Sequence, residues 1–221
     1  MQSVPEIRIN LGAGSQHAPG WIGYDRSRAP LLMRSRVLRP ILINRLGHWP
    51  PETLVRDVTR GIPHPDDSVD VVYSSHTLEH LVPDDARRLL AEAHRVLRPG
   101  GLIRIIVPDL ERLARAYLGG DRAFFHDTDE LLADAFCRGM YAYGASQGLA
   151  MRALKRVLRS DDAGHRWMYD ETSLTARLVD AGFVAVKRVE RGESRRPGAA
   201  ELDVRGGYHL HMEAEKPLSR R

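Results

Sequence analysis

The sequence predicts an α/β protein: a mostly parallel sheet, closed by an antiparallel strand and carrying a helical insertion. Three observations lead there. Short β-branched runs alternate with helical patterns before residue 110, the first of these runs breaks into a glycine turn, and the alternation resumes only after a strand-free stretch over 111–160.

Taken in order, Ile7-Arg8-Ile9-Asn10-Leu11 alternates and is β-branched, then gives way to Gly12-Ala13-Gly14-Ser15, as a strand entering a tight turn does. Trp21–Asp25 is a second short strand ending in an acid. Residues 15–20 between them are too few, and too close to Pro19, for a full crossover helix. A short strand around Arg56 precedes Asp57-Val58. The turn signal Pro63-His64-Pro65-Asp66-Asp67 introduces a strand over Val69–Ser74. The next helix has clear ends: Pro83-Asp84-Asp85 opens it, Ala86, Leu89, Leu90, Ala93, Val96 and Leu97 form its apolar face, and Pro99-Gly100-Gly101 stops it. Leu102–Val107, apolar apart from Arg104, suits a strand covered on both faces. After the insertion come a helix over Ser173–Ala181, a strand over Phe183–Val189, a loop over 191–205 and a closing antiparallel strand over Tyr208–Ala214.

Composition narrows the function classes. The 221 residues suit one domain, 1–221, in which 111–165 form an inserted helical lid. A lone cysteine, Cys137, excludes an intramolecular disulfide and a cysteine-based metal knuckle, so a cytoplasmic setting is expected. No apolar run reaches the ~18–20 residues of a membrane span, and the first ten residues lack the layout of a secretory signal. The formal charge is +4, with 30 arginines against three lysines. Because 29 acids are interleaved with these bases and no basic-aromatic stripe emerges, nucleic acid is not the expected partner. Most arginines then belong to a solvated surface. The exceptions are Arg115, Arg122 and Arg138 in the insertion and Arg191, Arg195 and Arg196 in the late loop, where a guanidinium fork suits hydroxyls or acids.

The chemistry concentrates at strand ends. Gly12 and Gly14 let backbone approach a ligand closely, and Asp25 at the end of the next strand suits both hydroxyls of a ribose. The spacing from Gly12 to Asp25 is shorter than the ~20 residues of a dinucleotide fingerprint, and Gln16 stands where a third glycine belongs, so a nucleoside without pyrophosphate fits better. His76-Thr77-Leu78-Glu79-His80 spells an inverted zinc-peptidase motif, but that motif belongs mid-helix and this one starts at a strand end.

The ordered set Ile9-Asn10-Leu11-Gly12-Ala13-Gly14, Pro19-Gly20-Trp21-Ile22-Gly23-Tyr24-Asp25, Pro65–His80 and Arg95–Gly101 resembles the class I, Rossmann-like S-adenosylmethionine-dependent methyltransferases, and more narrowly the small ones of bacterial glycan gene clusters. His165–Asp170 and Ala181-Gly182-Phe183 look like the family's later part. The resemblance implies that Leu11, Gly12, Ala13 and Gly14 wrap the methionine portion of the cofactor and that Asp25 holds its ribose. It implies further that Asp57 and Val58 flank the adenine and that Ser75 and His76 meet the methionyl end. For Asp57 the alternative is a turn cap.

An alcohol hydroxyl is a poor nucleophile at neutral pH, so a base or a metal is expected to assist it. Catalytic candidates are His76, Asp109 and His126, with His165 also considered. Certain ubiquinone-pathway methyltransferases use an ExxEH for a divalent cation. By that likeness His76, Glu79 and His80 are candidate ligands for Mg²⁺, the alternative being that Glu79 and His80 only support the start of a helix. Phe124, Phe125, Phe136, Tyr141 and Tyr143 either offer flat faces to sugar CH groups or form the core of the lid, with Tyr141, Tyr143 and Gly144 as a hinge. The expected function is O-methylation of a sugar or oligosaccharide acceptor, a methylated mannoside of the mycobacterial kind being the narrow form. The alternatives are a quinone or polyketide acceptor, RNA, or a non-catalytic interaction module on the same fold. A homodimer is compatible with all of them.

Overall fold

The computed structural model describes residues 5–46, 49–126, 129–141, 157–158, 164–204 and 207–218. Its strands are β1 (Arg8–Leu11), β2 (Trp21–Asp25), β3 (Leu54–Val55), β4 (Val69–Ser75), β5 (Leu97–Pro108), β6 (Val184–Arg188) and β7 (His209–Glu215). They form one seven-stranded sheet in the order β3-β2-β1-β4-β5-β7-β6. Strands β1 to β5 pair in parallel, and β7 runs antiparallel between β5 and β6. The direction of winding reverses between β1 and β4, which makes the carboxyl ends of those strands the place for a ligand. The expected parallel sheet with an antiparallel closing strand is what the chain forms.

The described helices are α1 (Ala29–Met33), α2 (Leu38–Leu46), α3 (Pro83–Val96), α4 (Leu110–Leu118), α5 (Leu132–Gly139) and α6 (Glu171–Asp180). Pro83 opens α3 with Asp84 and Asp85 in its first turn, and its buried stripe is Ala86, Leu89, Leu90, Ala93 and Val96, at helical spacing. Pro99-Gly100-Gly101 does not end that helix as the sequence suggests. Leu97 is already extended and begins β5, because Pro99 bars Arg98 from helical geometry, and the glycines fall at an irregularity in the β4–β5 pairing. Asp170 starts α6 with a capping box: its carboxylate accepts from the Ser173 N–H and the Ser173 hydroxyl accepts from the Asp170 N–H.

Alternation along β5 divides the core. Ile103, Ile105 and Val107 face α3 and α6 and join Leu89, Leu90, Leu174 and Leu178. Leu102 and Ile106 face the other way and pack with Val71, Tyr73 and Trp21 against Ala199 and Leu202 of the late loop. No helix separates β1 from β2, as the short connection requires, so loop residues take the part of a covering layer on this face. Arg104 lies on the same face and is wholly buried. It pairs with Asp203 and with Glu213, the latter at 2.8 Å, and its N–H groups reach the Glu193 and Glu190 carbonyls. The Tyr73 hydroxyl donates to the Leu202 carbonyl at 2.9 Å. A buried guanidinium is tolerated because every direction of its fork meets an oxygen.

In the insertion, Leu113 and Ala116 of α4 meet Ala135 of α5 around Phe125, with Phe124 and Phe136 packed on the cluster. These aromatics therefore form its core. Tyr143, Gly144 and the residues 142–156 and 159–163 lie outside the described residues, so the hinge expectation does too.

Candidate active site

A cavity of about 310 Å³ opens at the carboxyl ends of β1, β2 and β4, and Gly12, Ala13, Gly14, Asp25, Asp57, Val58, Ser75 and His76 all line it. Leu11, the remaining residue expected at the cofactor, is buried beneath the turn. The turn is shaped by backbone. Both the Gly12 and Ala13 N–H groups donate to the Tyr24 carbonyl at 2.9 Å, and Gly12 and Gly14 take φ of 70° and 54°. Behind Gly12 stands Thr77, whose hydroxyl donates to the Leu11 carbonyl at 3.1 Å and leaves no room for a Cβ at residue 12.

Asp25 ties this turn to the end of β2. One carboxylate oxygen accepts from the Gly14 N–H at 2.9 Å and the other from the Ser27 N–H at 2.7 Å. Burial pushes the carboxyl above its ordinary range in spite of these bonds. Each oxygen keeps a lone pair for a further donor. Asp57 caps the short 3₁₀ turn Val58–Arg60, accepting from the Thr59 hydroxyl at 2.7 Å, and also lines the cavity. A left-handed glycine turn whose Cβ space is already filled, with a paired-oxygen acid facing it, fits a nucleoside-bearing ligand such as S-adenosylmethionine.

At the end of β4 the chain turns sharply: His76 has φ 54°, strained for a histidine, and its N–H is held by the Ile106 carbonyl at 2.9 Å. Its Nδ1 lies 2.8 Å from Glu79 Oε1, and its buried Nε2 has no hydrogen-bond partner among the described residues. The His209 ring stands edge-on to it at 4.5 Å. Glu79 is wholly buried. Its carbonyl accepts from the Arg166 and Trp167 N–H groups at 2.7 and 3.1 Å, which brings the segment after the insertion against the HTLEH turn. His165 arrives by that route. Its ring lies 5.0 Å from that of His80 and 5.2 Å from that of Tyr141, and burial lowers its pKa.

The other expected site residues lie elsewhere. Asp109 is buried as the N-cap of α4, accepting from the Arg112 N–H at 3.1 Å and facing Arg188 at 3.3 Å, and it does not line the cavity. His126 is exposed after the 3₁₀ turn Ala123–Phe125 and does not line it either. For the metal trio, donor atoms of Glu79, His80 and His165 lie within 4.8 Å of one another, whereas His76 is hydrogen-bonded to the carboxylate of that group. Two of the three expected ligands, Glu79 and His80, thus cluster with His165. Sequence reasoning missed Ser27, Trp49 and Thr77 on the cavity wall. Thr77 lay inside a motif already singled out, while nothing near Trp49 in the chain signals a site.

The singled-out arginines have intrachain partners. Arg195 meets Glu213 and Glu215, Arg196 bridges Glu6 and Asp70, Arg191 donates to the Asp203 carbonyl, and Arg115, Arg138 and Arg122 face Glu111, Glu130 and the Glu130 carbonyl. In the late loop they anchor chain to sheet. No described helix is long and apolar enough to cross a membrane.

Comparison with known proteins places this geometry. Residues 22–105 match the family described as "Methyltransferase domain". A probable methyltransferase, LtbC, of Aspergillus luteorubrus is 38% identical over 48 residues, which are 21% of this chain and 17% of that protein. A S-adenosylmethionine-dependent methyltransferase of Methanosarcina mazei superposes with a TM-score of 0.52 at 15% identity, covering 98% of this chain and 95% of that one. One from Archaeoglobus fulgidus gives 0.50 at 14%, covering 96% and 86%. The matched segment covers residues 22–105 of the 221, and the superpositions show a shared fold, the Rossmann-like sheet that these methyltransferases carry. The match to LtbC spans under a fifth of that protein's length.

Proposed function

We propose that this chain is an O-methyltransferase that uses S-adenosylmethionine to methylate a hydroxyl of a sugar or glycan precursor. The observation that carries the reading is the meeting, on one cavity wall, of the Gly12–Asp25 clamp and His76, which the buried Glu79 backs from behind the wall. When bound, the cofactor supplies an electrophilic methyl group for in-line displacement by oxygen. The chain's part is to align and deprotonate. Glu79 accepts the Nδ1 proton of His76, which leaves the lone pair on Nε2 to take the acceptor's hydroxyl proton, and the carboxylate stabilises the imidazolium that results. Asp25 and the glycine turn hold the cofactor's nucleoside so that the transferred methyl meets the acceptor at this wall.

Within a single domain, residues 111–165 act as an acceptor lid. The support is that Tyr141 and His165 meet each other and both stand beside His80 of the HTLEH turn. A divalent cation belongs at the same turn. The test is an acceptor screen with a methyl-labelled cofactor against methylmannosides, other oligosaccharides, phenols and RNA, with the product bond assigned by NMR. O-methyl sugar as the favoured product supports the proposal. Transfer to nitrogen, to phenols or to RNA alone rejects it.

A further inference from the structure

We propose that Glu79, His80 and His165 form a binding site for one divalent transition-metal ion at the junction of the cofactor cavity and the insertion. Their donor atoms lie within 4.8 Å of one another. Donors around one ion at about 2.0–2.2 Å stand roughly 3–4 Å apart, so a contraction within reach of side-chain torsions completes the set.

Two features show that this is more than proximity. Glu79 is wholly buried, and among the described residues its Oε2 has no hydrogen-bond partner and its charged neighbours are imidazoles, His76 at 2.8 Å and His165 at 4.0 Å. A buried carboxylate is costly unless its charge is met. An imidazole meets it only by taking up a proton, whereas a divalent ion meets it outright. The second feature is preorganisation. The His165 N–H donates to the Tyr141 carbonyl at 2.9 Å, the Arg166 and Trp167 N–H groups clasp the Glu79 carbonyl, and His80 Nδ1 sits 3.2 Å from the Gly164 carbonyl. That last contact orients the ring, the kind of outer support that metal-binding histidines ordinarily have.

The donor chemistry selects the ion. Two imidazoles and one carboxylate favour zinc, iron or manganese over magnesium, which prefers an oxygen shell and keeps its waters. The site stands on these residues alone, so it holds whatever the methyl acceptor proves to be.

The experiment is titration of the full chain with Co²⁺, in a Cys137→Ser background that removes the exposed thiol, followed by visible absorption. The expected result is uptake of about one equivalent, displaced by Zn²⁺ and not by excess Mg²⁺, and weakened about 10- to 100-fold by Glu79→Gln and by His165→Asn. Binding of S-adenosylhomocysteine, measured separately by calorimetry, should persist in His165→Asn and reports the cofactor reading independently. In the wild-type chain, Co²⁺ should protect His80 and His165 from diethyl pyrocarbonate, as mapped by mass spectrometry, which tests the site without a substitution. No cobalt uptake, uptake unchanged in both variants, displacement by equimolar Mg²⁺, or no protection of the two histidines overturns the proposal.

Discussion

The hydroxyl of Thr77 occupies the space that a side chain at Gly12 would need, and it is locked there by donating to the Leu11 carbonyl at 3.1 Å. The turn from β1 and the turn from β4 are thereby one piece of structure. Gly12 is also at φ 70°, so two independent constraints exclude any other residue.

Gly12→Ala should therefore cost about 1–3 kcal/mol of stability from backbone strain, with the clash added to it. Urea unfolding should show Gly12→Ala/Thr77→Ala recovering part of the loss. Equal stability of the single and double variants would mean that the clash is relieved elsewhere.

Asp25 uses one oxygen for Gly14 and one for Ser27, and an ionised carboxylate is needed to accept from a ribose as well. Asp25→Ala should weaken S-adenosylhomocysteine at least about tenfold, the loss of more than one charge-assisted bond. Because burial raises this pKa, affinity in the wild-type chain should fall with acidification at a pH above the ordinary aspartate value of 3.8, as the group takes up its proton. Calorimetry across a pH series checks both.

His76→Gln should lower the methyl-transfer rate constant by about 10²–10⁴, the usual yield of a positioned base, while His126→Ala should leave it within a few-fold. His126 is exposed and off the cavity wall. Single-turnover rates would reveal the reverse ranking if the lid rather than the strand end supplied the base.

Arg104→Met should destabilise by about 3–5 kcal/mol, because Asp203 and Glu213 would be left buried without their counter-charge. The late loop should also become the first site of proteolysis, which limited digestion followed by mass spectrometry would locate.

His64, His94, His165 and His211 all have pKa values lowered, in each case chiefly by burial. The folded state then binds fewer protons than the unfolded one as pH falls below about 6.5, so stability should decline through that window. The lowered acids Glu6, Glu92 and Asp170 have ordinary carboxylate values of 4.5, 4.5 and 3.8, so their stabilisation is lost only as pH falls below that range. Urea midpoints at pH 7.5 and 5.5 should differ, with the acid value lower.

The parallel sheet, α3 and the turn from Gly12 to Asp25 were all legible in the sequence. Each depends on neighbours in the chain: period-two burial, proline and acids at a helix start, glycine where φ is positive. Chain-local signals also placed Asp57 and His76 on the cavity wall. They could not show that Thr77 fills the space behind Gly12, that His165 rather than His76 joins Glu79 and His80, or that Asp109 turns away to cap α4. Arg104 marks the boundary most clearly. Alone in an apolar strand it looks like an exception, and only the loop that returns with Asp203 and the strand that brings Glu213 make it part of the core. Local sequence sets the elements because their conformational preferences are short-ranged, whereas the pairing of buried charges and donor atoms far apart in the chain exists only once the sheet has brought them together.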